Sequence, residues 1–225
     1  MTPLRAVLFD IDGTLVDSNY VHVDAWDRGL AEAGVPAPAW RIHRAIGMDS
    51  SRLLETLAEG AGEEVQSRAK QLHSEYYKQE ADRLRPFAGA ADLLRAIHDL
   101  GLRVVLATSA PEDELEILRG VLDVEDAVAV VTSAGDVETA KPDPDIFQVA
   151  LGKAEAAPDE ALLIGDTVWD VLAANAAGMR TIGVLSGGVS EAELREAGAV
   201  EVYDDVADLL ARLGDSVIGQ QVRKP

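Results

Sequence analysis

The sequence predicts an α/β fold: a doubly wound parallel sheet with a helical segment inserted after its first strand. Three observations predict it. Short β-type apolar runs recur along the chain, they alternate with segments of helical length, and one connection is several times longer than a crossover needs.

The clearest runs lie at residues 5–9, 102–107, 127–131, 161–164 and 180–185, with a weaker one at 199–203. Four of the five clear runs are almost continuously apolar, the pattern of strands covered on both faces. Helical patterns fall between them at about 88–100, 112–122, 144–153, 168–177 and 191–197. The regularity fails once, over residues 18–86, where no convincing strand occurs. That stretch reads as helices at 21–33, ended by Gly34, at 50–58, and at 63–83, followed by Pro86. A parallel crossover needs little more than a dozen residues, so this one predicts an inserted helical subdomain. The division is then 1–17 plus 86–214 for the sheet domain and 18–85 for a helical cap, with hinges near 17–19 and 85–87. Residues 215–225 are polar and read as a loosely held tail.

A chain of 225 residues suits one large domain, or a large domain carrying a small insertion. Apolar residues at 48% and charged ones at 27% supply a core and exclude global disorder. Twenty basic against forty acidic residues leave a net charge of −20, with no basic stripe. That excludes nonspecific attraction to nucleic acid or to anionic membranes, so neither is expected as a partner. An anion must be met by local cations, backbone N–H groups or a bound metal. The absence of cysteine excludes disulfides, thiolate zinc sites and a cysteine nucleophile. The apolar stretches are too short to span a membrane, and the N-terminus lacks the features of a secretory signal. The expectation is a cytoplasmic protein, monomeric or a small homo-oligomer.

Chemistry is expected beyond the carboxyl ends of the strands, where an open parallel sheet places its ligand crevice. The first strand ends in Asp10-Ile11-Asp12-Gly13-Thr14, and the fourth in Gly165-Asp166-Thr167-Val168-Trp169-Asp170. Taken alone, the first suits an Asx turn and the second a helix N-cap. Together they bring three carboxylates to one crevice, and hard oxygen ligands of that kind suit Mg²⁺. Asp170, four residues after Asp166, shares a helix face with it and reads equally as a solvated first-turn acid. The second strand runs into Thr108-Ser109-Ala110-Pro111, where a hydroxyl and helix-opening N–H groups form an anion cradle or a simple cap. After the third strand, Thr139-Ala140-Lys141-Pro142-Asp143-Pro144 fixes a lysine between two prolines in an otherwise acidic chain. Such a cation suits a phosphoryl oxygen.

In chain order these four stretches resemble the four motifs of the haloacid dehalogenase-like (HAD) superfamily of phosphatases, over about residues 5–213. The insertion is similar to the small cap of the phosphoglycolate phosphatase and β-phosphoglucomutase branch, as are His22, Trp26 and Gly47 within it. The resemblance implies a Rossmann-like HAD core and Mg²⁺-dependent hydrolysis of a small phosphorylated metabolite through an aspartyl phosphate. It assigns Asp10 as nucleophile and Asp12 as general acid and base, the latter requiring a pKa raised toward neutrality. Thr108, Lys141 and the backbone around Ile11, Ser109 and Ala110 would take phosphoryl oxygens. Asp10, the Asp12 backbone carbonyl and Asp166 would hold Mg²⁺, with Asp170 in support. His22, Arg44 and Arg52, with Tyr20 and Met48, are the cap residues expected near substrate, and Trp26 is expected in the cap core. A β-phosphoglucomutase-like phosphotransferase is the nearest rival, since it shares all four motifs. A dehalogenase fits less well because Asp12 is present, and a non-catalytic phosphate-binding protein has little need of the complete set.

Overall fold

The computed structural model describes residues 2–137 and 141–222. Thr139 and Ala140 of the lysine loop and residues 223–225 of the expected tail lie outside the described residues. Six parallel strands form one sheet in the order β3-β2-β1-β4-β5-β6. They are β1 (Ala6–Phe9), β2 (Arg103–Ala107), β3 (Val128–Thr132), β4 (Ala161–Gly165), β5 (Arg180–Val184) and β6 (Glu201–Tyr203). The weak sixth run is therefore a short edge strand. Chain order reverses direction at β1, which lies between β2 and β4, so the switch point falls beside the residue that follows Phe9.

Alternation along β1 explains the two layers of helices. Val7 and Phe9 face one apolar cluster with α5 (Ala90–Asp99), α6 (Glu112–Leu122) and α10 (Val206–Ala211). Ala6 and Leu8 face the other with α7 (Asp145–Ala154) and α8 (Val168–Ala176). All four β1 side chains are fully buried, each large one worth roughly 1.5–3 kcal/mol. Phe9 stands level with Leu106 of β2 and Ile164 of β4. That register brings the three strand ends to one line.

Four α-helices stand between β1 and α5: α1 (Asn19–Glu32), α2 (Ala39–Ala45), α3 (Ser50–Leu57) and α4 (Glu63–Gln79). They enclose an apolar cluster of their own around Trp26, Leu30, Ile42 and Leu53. Gly29 allows α1 and α4 to touch, since a Cβ there would lie 3.0 Å from the His73 backbone nitrogen and 3.1 Å from Ala69 O. The two connections to the sheet run side by side, with Asp17 N donating to Arg85 O and Phe87 N to Leu15 O, each at 2.9 Å.

Local pattern misjudged three details here. The expected helix over 63–83 ends at Gln79 and resumes as a 3-10 turn at Ala81–Arg83. The helix α2 has no counterpart in the sequence reading, being a short helix of 7 residues between prolines and Gly47. The polar tail is also corrected: α11 (Val217–Val222) packs on the sheet layer with Ile218 fully buried. Ile218, with Val217 and Val222 packed beside it, anchors a segment whose average composition is polar.

Candidate active site

Asp10 follows β1 directly and is held to the sheet by its own N–H, which donates to Ile164 O at 3.0 Å. The chain then turns at Gly13, whose φ of +76° is one a side chain disfavours. A Cβ at Gly13 would lie 2.4 Å from Asp166 Oδ2, and one at Gly187 would lie 1.7 Å from the same atom. Two glycines therefore clear the space around the Asp166 carboxylate. Thr14 Oγ1 donates to Asp166 Oδ1 at 2.8 Å and Asn19 Nδ2 to Oδ2 at 3.0 Å, fixing its plane. Asp170 sits in the first turn of α8, where Thr167 and Asp170 form a reciprocal capping box. The solvated first-turn alternative is thus excluded, because Asp170 is fully buried.

Lys141 joins these groups. Its Nζ lies 2.6 Å from Asp10 Oδ1 and 2.7 Å from Asp170 Oδ1, with the lysine itself buried. Burial opposes the ammonium charge, but Asp10 and Asp170 outweigh it and hold the lysine pKa above its ordinary value. Asp10, Asp166 and Asp170 each offer a carboxylate oxygen within 4.8 Å of the others. Burial, together with repulsion from Asp170 and Asp12, pushes the Asp10 carboxyl up to about 7 against the pull of Lys141. Burial and the charges of Asp170 and Asp10 likewise push Asp166 well above the carboxylate range.

These residues fit a divalent cation. Three ionised carboxylates facing one ammonium leave two negative charges uncompensated in a buried site. The donors are hard oxygens, as Mg²⁺ prefers. The structure's carboxylate trio is Asp10, Asp166 and Asp170, whereas the Asp12 carboxylate pairs with Ser18 and His22 instead.

Asp12 faces the cap instead. Ser18 Oγ donates to Asp12 Oδ1 at 2.6 Å, and His22 Nε2 stands 3.2 Å from the same oxygen. Burial would raise the Asp12 carboxyl, but His22 and the hydrogen bonds from His22 and Ser18 bring it below its ordinary value. The expected upward shift on Asp12 is therefore overturned. His22 moves the opposite way, since Asp12 overcomes the burial that would otherwise discharge it. Asp12 and His22 thus shift in opposite directions, each drawn by the charge of the other.

A cavity of about 300 Å³ opens over these groups, lined by Asp10, Asp12, Lys141, Thr108, Ser109 and Ala110 on the sheet side. Thr108 is buried and accepts from Ala110 N at 3.0 Å, so its hydroxyl is fixed at the second strand's end. The Ile11 side chain is buried in the core, leaving only its backbone for the crevice. On the cap side the lining includes His22, Trp26, Met48, Leu53 and Lys70. Trp26 also belongs to the cap's apolar cluster.

Arg44 and Arg52 do not reach this cavity. Arg44 Nη2 donates to Glu193 Oε1 at 2.5 Å and Arg52 Nη2 to Asp143 Oδ2 at 2.7 Å. Acidic residues on the sheet domain capture both, and the pairs bridge cap to core at the rim. Tyr20 is 61% exposed and stacks on His43 rather than lining the cavity. The sequence reading also missed residues that matter. Thr14, Ser18 and Asn19 lie within or beside the first motif and were findable as polar residues following its aspartates. His73 on α4 and Glu114 on α6 border the cavity with no local signal to mark them.

Comparison with known proteins matches residues 4–178 to the haloacid dehalogenase-like hydrolase family model. The chain is 31% identical to a phosphoglycolate phosphatase of Rhodospirillum rubrum, covering 93% of this chain and 91% of that one. It is 30% identical to a phosphorylated carbohydrates phosphatase of Thermotoga maritima, covering 88% of this chain and 93% of that one. A solved hydrolase from Pseudomonas syringae superposes with a TM-score of 0.90 at 37% identity, covering 94% and 98% of the two chains.

Proposed function

Because this chain belongs to the haloacid dehalogenase-like hydrolase family and is a phosphatase of that family, we propose that it hydrolyses a small phosphorylated metabolite through a phosphoryl group carried on Asp10. One observation carries the reading: Asp10, Asp166, Asp170 and Lys141, far apart in sequence, share a single buried crevice under a cavity. Residues 18–85 act as its cap, and 1–17 with 86–214 as its core.

The Asp10 carboxylate attacks phosphorus, forming a P–O bond to Asp10 as the bond to the leaving oxygen breaks. Asp12, sharing a proton with His22, protonates that leaving oxygen. It then removes a proton from the water that cleaves the acyl phosphate, so the proton lent in the first half is recovered in the second. Lys141, the Thr108 hydroxyl and the backbone near Ile11, Ser109 and Ala110 receive the equatorial phosphoryl oxygens. Asp10, the Asp12 carbonyl and Asp166 would hold Mg²⁺, with Asp170 beside them orienting Lys141. When bound, Mg²⁺ supplies the charge that lets a dianion approach these carboxylates.

A panel of phosphorylated metabolites with and without Mg²⁺, followed by product identification, tests the reading. Mg²⁺-dependent phosphate release is expected, and Asp10→Asn reduces it to background. Undiminished turnover in that variant would overturn the assignment. β-Glucose 1-phosphate separates the mutase alternative, since glucose 6-phosphate in place of free phosphate marks transfer.

A further inference from the structure

Behind Asp12 and His22 lie two buried side chains, His73 and Glu114, that the phosphoryl chemistry above does not use. His22, on α1, presents Nε2 to Asp12 Oδ1 at 3.2 Å and Nδ1 to His73 Nε2 at 3.0 Å. His73, on α4, presents its own Nδ1 to Glu114 Oε1 at 3.9 Å. That last separation exceeds a hydrogen bond but leaves a carboxyl group facing a ring nitrogen in a low-dielectric site. All three side chains are buried. Their rings are clamped by aromatic neighbours: Trp26 stacks on His73 with centroids 4.1 Å apart, and Tyr77 on His22 at 4.2 Å. Asp12 and Glu114 belong to the sheet domain, His22 and His73 to the inserted helices. The line of contacts thus crosses from core to cap and back.

A contact between two ring nitrogens holds one proton, so one nitrogen donates and the other accepts. A carboxylate facing Nδ1 of His73 favours the proton on that nitrogen. Its Nε2 then keeps a lone pair and accepts from His22 Nδ1–H. Rotation of the His22 ring is fixed by that bond, and its Nε2 is aimed at Asp12. An ionised carboxyl buried without a facing N–H would be costly, which gives Glu114 a physical reason to stand there.

We propose that Glu114 and His73 are positioning residues, setting the direction of the hydrogen bonds through His22 and so holding the Asp12 carboxyl toward the leaving-group oxygen. This rests on the phosphatase reading above. Both residues also border the cavity, so the test separates positioning, which moves kcat, from leaving-group binding, which moves KM.

Two aryl esters discriminate, because p-nitrophenolate departs without a proton and phenolate needs one. In His73→Leu and Glu114→Met, kcat on phenyl phosphate is expected to fall about tenfold further than on p-nitrophenyl phosphate, a fraction of what a general acid supplies. KM stays near wild type. His73→Gln, which keeps an acceptor for His22 and a donor for Glu114, restores the ratio. An equal fall on both esters, or a change confined to KM, overturns the proposal. Nitrogen-15 spectra of the imidazoles provide a readout independent of turnover. They should show His73 protonated on Nδ1 in the wild type and shifted toward Nε2 in Glu114→Met. The same tautomer in both proteins also overturns it. The expected tautomers in a protein that hydrolyses neither ester would instead count against the phosphatase reading.

Discussion

Lys141 is a buried lysine that keeps its charge only because Asp10 and Asp170 grip it at 2.6 and 2.7 Å. Replacing it with methionine leaves the carboxylates uncompensated, which typically costs about 3–5 kcal/mol. Lys141→Met should therefore lower stability by that order in chemical denaturation and recover part of it in acid, where the carboxylates take protons. A variant as stable as the wild type at pH 8 would show that Lys141 is not the partner the geometry makes it. Asp10→Asn works in the opposite sense. It removes a carboxyl that burial already pushes up to about 7, so it should abolish turnover while the melting temperature at pH 8 holds or rises.

Elements close over the site through contacts that local sequence does not announce. The loop after α2 bears Gly47 at φ +95°, and a Cβ there would lie 2.7 Å from Thr167 Oγ1 at the start of α8. Trp169 Nε1 donates to Arg44 O at 3.1 Å beside it. Gly47→Ala carries about 1–2 kcal/mol of backbone cost and pushes this corner of the cap off the core. The expected result is a fall in kcat/KM larger than any fall in thermal stability, because closure excludes water from the site. Equal turnover in that variant would mean that the corner need not close. The rim pairs Arg44–Glu193 and Arg52–Asp143 are each about half exposed. Each adds at most about 1 kcal/mol, screened by salt.

For the whole molecule, the concentration of negative charge makes pH and metal act together. Asp10 has an ordinary pKa of 3.8 and a folded value of about 7. The folded chain therefore binds more protons than the unfolded chain between those values. On this account its stability is full below about 3.8 and declines as pH rises through about 7. A cation competes with that same proton. Added Mg²⁺ should raise the melting temperature little at pH 5 and distinctly at pH 8, and the difference should shrink in Asp10→Asn. A shift independent of pH would count against metal binding at this carboxylate. Among the described residues no helix is long and apolar enough to cross a membrane.

The sequence by itself determined the strands and the ends at which chemistry gathers. Continuous apolar runs such as 161–164 have one stable use, a strand buried on both faces, and each run stops where Asp10, Thr108 or Asp166 begins. Periodicity is a local property, so it is legible without folding the chain. The order of the strands, the level register of Phe9 with Leu106 and Ile164, and the fall of the cap onto the core are properties of packing at long range. Only they decided that Asp170 joins Asp10 and Asp166 around Lys141, and that Asp12 faces His22 and is pulled down rather than up. They also gave Arg44 and Arg52 to carboxylates at the rim and set His73 against Glu114. A pKa or an ion pair depends on which charges end within a few ångströms of each other, and residues a hundred positions apart acquire that distance only when the chain folds.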